Sequence, residues 1–223
     1  MKNSKLTFIA VALLLALVGR AQTNFTYNSG TVNATVPDAN PVGITQTATI
    51  AGLSGFITNV SVNLNITGGF NGDLYVYLAG PSGQLAVILN RVGVTSGNPF
   101  GYFNTGFNIT LDNSGANVHN YQSGSYTLNG GGQLTGTWNA DGRNISPLSS
   151  GSVFDAASTA ANLNLFNNTI PNGTWTLFLA DLSGGGQSTL VSWGMTIVTV
   201  PEPQTWAMLA GGATMLLALR RRR

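Results

Sequence analysis

Hydrophobic and polar residues alternate with a period of two along most of this chain, where an amphipathic helix would repeat every 3.6 residues. Across residues 56–66, Val60, Val62, Leu64 and Ile66 alternate with Ser61, Asn63 and Asn65, as in a strand with one buried face. A hairpin is predicted next: Leu74, Val76 and Leu78 point one way and Tyr75 and Tyr77 the other, Gly80, Pro81, Ser82 and Gly83 turn the chain, and residues 84–90 return. Trp175, Leu177 and Leu179 mark a later strand, and Val191, Trp193, Met195 and Ile197 another, with the turn-rich residues 182–188 between them. Strands separated by turn signals, with no convincing amphipathic helix before the last residues, predict an all-β domain built as a two-sheet jelly-roll sandwich. The Gly-rich stretches 129–133 and 184–187 read as surface loops, since neither opens a helix after a strand as a phosphate cradle does.

The two ends break this pattern. Lys2 and Lys5 precede an apolar run over residues 6–18, and Gly19 and Ala21 set small residues at −3 and −1 of a cut between Ala21 and Gln22. Residues 1–21 therefore read as a signal peptide with a short helix, which implies the Sec translocase and a signal peptidase. At the other end Val200, Pro201, Glu202 and Pro203 lead into an apolar stretch over 205–219 and then Arg220, Arg221, Arg222 and Arg223. A helix over that stretch rises about 22 Å, short against a hydrocarbon core of about 30 Å. Arginine snorkelling and Trp206 at the opposite interface help it to span. The terminal arginines stay in the cytoplasm under the positive-inside rule, so the 22–199 domain lies outside.

Pro-Glu-Pro, a short hydrophobic helix and a terminal arginine cluster, in that order, resemble the PEP-CTERM sorting signal of Gram-negative bacteria. Residues 200–223 carry this resemblance. It implies recognition by an exosortase, an inner-membrane-anchored intermediate, and release to the cell surface or extracellular matrix. A second resemblance covers roughly residues 36–198. The stretches GFNGDLYVYLAGPSG, from Gly69, and NGTWTLFLADLSGGGQSTLVSW, from Asn172, are similar to the P domain, also called P/Homo B, of the proprotein-convertase type. The sequence departs from that family near the end, with Ser188 and Thr189 before Leu190. The resemblance implies a galactose-binding-like jelly roll that accompanies subtilisin-like serine endopeptidases, with proteolysis terms attached by family association. No protease domain is present in the sequence.

Charge and chemistry narrow the function further. The net charge of +2 comes from the ends: between residues 22 and 199 only Arg91 and Arg143 stand against Asp38, Asp73, Asp112, Asp141, Asp155 and Asp181, a formal charge of −4. Without clustered Lys and Arg the domain is a poor fit for nucleic acid. Cysteine is absent, which removes disulfides and thiolate chemistry. General acid–base chemistry rests on the single His119 with an Asp, and no Gly-x-Ser-x-Gly elbow is present. Flanked by Asn117 and Asn120, His119 reads as an exposed loop residue, and the expectation is a non-enzyme with no required cofactor.

Two binding expectations remain. Asp38 in a turn-rich segment, Asp73 opening a strand and Asp181 closing one would converge on one rim as oxygen ligands for calcium, or each caps its own turn. Arg91, ending the hairpin, sets one cation beside an Asp. Tyr75 and Tyr77 on a strand's outward face, with Phe100, Tyr102, Phe103 and Tyr121 in Gly- and Asn-rich segments, offer stacking surfaces to sugars or pack under loops. The function expected is a non-catalytic structural or interaction module of the surface or matrix. The alternatives are a carbohydrate-binding module of the exopolysaccharide matrix and a protease-associated protein, with extracellular polysaccharide or another envelope protein as the partner.

Overall fold

The computed structural model describes residues 22–200, together with Gly211 and Arg220. Ten strands run through the described residues: β1 (Thr23–Asn28), β2 (Ala34–Val36), β3 (Asn40–Ile50), β4 (Phe56–Gly68), β5 (Leu74–Ala79), β6 (Leu85–Asn90), β7 (Gly106–Asn117), β8 (Leu134–Asn139), β9 (Gly173–Asp181) and β10 (Ser188–Val200). They form two sheets. The larger has the order β1-β10-β4-β7-β8, with β2 also on β10, and the smaller β3-β9-β5-β6. The all-β sandwich expected from the alternation is what the chain builds.

Period two explains how the sheets close on each other. Val60, Val62, Leu64 and Ile66 of β4, Trp193, Met195 and Ile197 of β10, and Phe107, Ile109 and Leu111 of β7 turn inward from the larger sheet. Leu74, Val76 and Leu78 of β5 and Trp175, Leu177 and Leu179 of β9 meet them from the smaller one. Trp175 anchors the middle, with Phe166 edge-on at 4.8 Å and its indole N–H donating to the Pro171 carbonyl at 2.9 Å. The expected hairpin is β5–β6, pairing Tyr75 with Asn90 and Ala79 with Leu85. Strands β9 and β10 are consecutive but belong to different sheets, so the turn-rich 182–187 stretch is a crossover between layers.

One pairing departs from an antiparallel jelly roll. β7 and β8 run parallel, Phe107 opposite Leu134 and Leu111 opposite Trp138. Parallel neighbours need a crossover, which residues 118–133 provide, passing through the 3-10 segment Val118–Ser123. The return over residues 140–172 holds one short α-helix, α1 (Gly151–Ala156), and the 3-10 segment Leu163–Phe166, and covers the free edge of β6: Val87 N–H donates to Ala161 O and Gly142 N–H to Val87 O, both at 2.8 Å. A covered edge is protected from pairing with another chain.

The register also orients the domain. Thr23 lies opposite Thr199, so both ends of the described domain leave from one end of the sandwich. Ser188 lies opposite Gly68 at the other end, roughly 40 Å away along β10. Among the described residues no helix is long and apolar enough to cross a membrane. The expected signal helix, Ala21 of the cleavage pair, the sorting residues Pro201, Glu202 and Pro203, and Arg221, Arg222 and Arg223 lie outside the described residues, whereas Gln22 is exposed and Val200 closes β10.

Candidate functional sites

His119 is buried at 1% exposure, not set in an exposed loop. Asn117 shapes the local backbone: its side-chain oxygen accepts from His119 N–H at 2.9 Å, and its amide donates to the carbonyls of Ala140 and Asp141. The imidazole is thereby fixed between two oxygens, Asp141 Oδ2 at 2.7 Å from Nδ1 and Val94 O at 3.0 Å from Nε2, with Phe154 stacked on its face. Asp141, fully buried, also accepts from Asn90 N–H at 3.2 Å, Arg143 N–H at 3.2 Å and Arg143 Nη1 at 3.0 Å. Arg143 Nε in turn donates to Phe154 O. Each ring nitrogen of His119 is engaged by a carboxylate or a carbonyl, and among the described residues neither bonds a hydroxyl. The His–Asp pair is a buried ionic clasp joining β6, the 118–123 segment and α1.

The acidic rim is built differently. Asp73 is 6% exposed, and Asp181 is fully buried at the neighbouring β9 terminus, where it pairs in register with Leu74. Asp181 takes only long contacts, from Ser183 N–H at 3.4 Å and the Ser188 hydroxyl at 3.3 Å. Burial pushes its carboxyl up to about 6, and the charges of Asp73 and Asp38 add to the rise. Burial likewise raises Asp73, against a bond from the Ser183 side chain and the nearby Arg91 charge. Arg91 stands beside Asp73 as expected, its Nε donating to Gly72 O at 3.1 Å. Asp38 shares the rim electrostatically, but its carboxylate accepts from Gly185 N–H at 3.3 Å. No three His, Cys, Asp or Glu side chains gather as a metal-ligand set among the described residues.

The aromatic candidates separate into two groups. Tyr121 is buried, with its hydroxyl donating to Asn104 Oδ1 at 2.7 Å, and burial raises its pKa. Tyr102 packs edge-on against it at 4.6 Å. Both are scaffold. Phe100 and Phe103 are exposed at 67% and 64% near the acidic rim, with Phe103 edge-on to Phe70. Tyr75 and Tyr77 do lie on the outward face of the smaller sheet, and the structure adds a partner that the sequence reading left out. Phe178, opposite Tyr77 in register, stacks on it at 4.8 Å with the planes 14° apart. Tyr75 completes a half-buried three-ring platform, 5.9 Å from Tyr77. Phe178 was legible as the outward position between Leu177 and Leu179.

No family model matches the chain, and no curated protein matches it. Among solved structures it is similar to a serine protease of Aeromonas sobria in complex with its chaperone, at 13% identity and a TM-score of 0.46 over 86% of this chain. A structure described as the serine protease of Aeromonas sobria is similar at 15% identity and a TM-score of 0.45 over 84% of this chain. The chain spans 30% and 29% of those two chains, less than a third of their length.

Proposed function

We propose that this chain is an exported, exosortase-processed protein of the cell surface or extracellular matrix, whose P-domain-like sandwich is a non-catalytic interaction module. One observation carries the reading. The single histidine is sealed in a clasp with Asp141 and Arg143, while the outward sheet faces are open. Both domain ends leave from the end opposite the acidic rim, which suits a module held by its tail with its rim directed away from the membrane. Intact-mass spectrometry of the protein from the envelope of an exosortase-bearing host tests it. The expected chain starts at Gln22 and lacks residues after the Pro-Glu-Pro motif, and an uncut chain recovered from the cytosol overturns it. A serine-directed activity probe is expected to leave the protein unlabelled, and specific labelling would favour the protease-associated alternative.

The Tyr75, Tyr77 and Phe178 platform favours a second reading, a carbohydrate-binding module, because half-exposed rings on a rigid sheet suit the apolar face of a sugar. Calcium at the acidic rim belongs to the same proposal: a cation would relieve the repulsion around Asp181. Millimolar calcium then raises the melting temperature at pH 7.5 in the wild type but not in Asp181→Asn, and an unmoved wild type removes the cation.

A further inference from the structure

The outward face of the larger sheet holds an open groove of about 480 Å³ that crosses β1, β10, β4, β7 and β8. Strand register sets Asn28, Gly194, Asn63, Thr110 and Thr137 in one row across all five strands. Ser192, Asn65 and Asn108 make the adjoining row. No charged side chain lines this groove. A side chain in place of Gly194 would press on the Tyr27 carbonyl at 2.7 Å, and Trp193 packs against Tyr27 at 5.0 Å beneath the row, so the floor is low and firm.

The polar groups are oriented by their own network. Thr110 Oγ1 donates to Asn63 Oδ1 at 2.7 Å, and Gln133 Nε2 donates to Asn65 Oδ1 at 2.8 Å. Both amide oxygens are thus occupied, and the two NH₂ groups are left as donors. The side chains of Asn108, Thr137 and Ser192 spend no hydrogen bond within the protein among the described residues.

These features select a ligand class. Backbone groups on this face are already used by the ladders, which excludes strand addition. Without a cation the groove does not suit phosphate or a polyanion, and without an apolar stripe it does not suit an amphipathic helix or a lipid surface. What remains is a neutral molecule rich in hydroxyls. Strands repeat every 4.8 Å or so, close to the advance of one ring along an extended polysaccharide. We propose that the groove binds a neutral polysaccharide lying across the strands, held by Asn63, Asn65, Asn108 and Thr137. This deepens the matrix reading by naming the ligand class, at a site on the sheet opposite the aromatic platform.

Native affinity gels of the full-length protein, cast with hydroxyethylcellulose, galactomannan or dextran and with alginate as the anionic comparator, test the assignment. The expected result is retardation by at least one neutral polymer and none by alginate. Asn63→Ala with Asn108→Ala should weaken it about tenfold, the loss of two hydrogen bonds, while Tyr77→Ala with Phe178→Ala leaves it in place. Retardation that survives the asparagine pair but not the aromatic pair overturns the groove and leaves the platform reading standing. Failure of all three neutral polymers, or equal retardation by alginate, overturns the groove outright. Side-chain amide NMR of the wild type gives an independent readout: the Asn63 and Asn108 signals shift on adding an oligosaccharide of the retarding polymer, and unmoved signals overturn the assignment.

Discussion

Two aspartates are fully buried at opposite ends of this chain's chemistry, and they are buried in different ways. Asp141 lies among donors and one cation, Arg143: Asn90, His119 and Arg143 supply four contacts of 2.7 to 3.2 Å. Asp181 has two contacts of 3.3 and 3.4 Å and the like charges of Asp73 and Asp38. Burial alone therefore says little about role. The saturated carboxylate is a clasp that holds the covering segment over β6, and the unsaturated one is where the fold carries unrelieved charge.

The same substitution at both positions separates them most sharply. Asp141→Asn leaves the buried Arg143 without its counter-ion and His119 Nδ1 without its carboxylate partner, and a loss of about 3–5 kcal/mol is expected, read as a lower urea midpoint. Asp181→Asn has the opposite sign at pH 7.5. Because the folded carboxyl holds its proton more tightly than the unfolded one, its stabilising contribution is complete below pH 3.8 and is lost as pH rises through about 6. The substitution should recover up to about 3 kcal/mol at pH 7.5 and flatten the melting profile between pH 4 and 7. A steeper profile in the variant would break the comparison.

Smaller effects sharpen it. His119→Gln keeps one hydrogen bond and loses the other along with the stack on Phe154, so about 1–3 kcal/mol should go, measured by thermal unfolding at one pH. Tyr77→Ala, on a half-exposed platform, should cost about 1 kcal/mol. Its informative readout is fluorescence or gel retardation with glycans, not stability.

The strands that sequence alone marked, β4, β5, β6, β9 and β10, have large apolar inward positions, and β7 follows the same pattern at Phe107, Ile109 and Leu111 but went unmarked among its Gly- and Asn-rich neighbours. β3 was harder because Gln46 interrupts Ile44, Ala48 and Ile50, and β8 because Gly136 sits mid-strand. His119 was misread for a physical reason. Its sequence neighbours are polar, and its burial comes from Val94, Asp141 and Phe154, which only tertiary packing brings near. Asp73 and Asp181 were legible as strand ends, and register sets Asp181 opposite Leu74, the residue that follows Asp73. The groove was half visible in the outward Asn63 and Asn65. Its width was not, because five strands contribute to it and the order in which they pair is absent from local pattern.

The central claim is that interior charge in this domain builds the scaffold while contact is made by the outward faces. Affinity electrophoresis of His119→Gln on the neutral polymer that retards the wild type, run well below the variant's melting temperature, tests it directly. Retardation equal to wild type despite lowered stability is the predicted result. A folded variant that migrates freely would place His119 in the binding function and contradict the account.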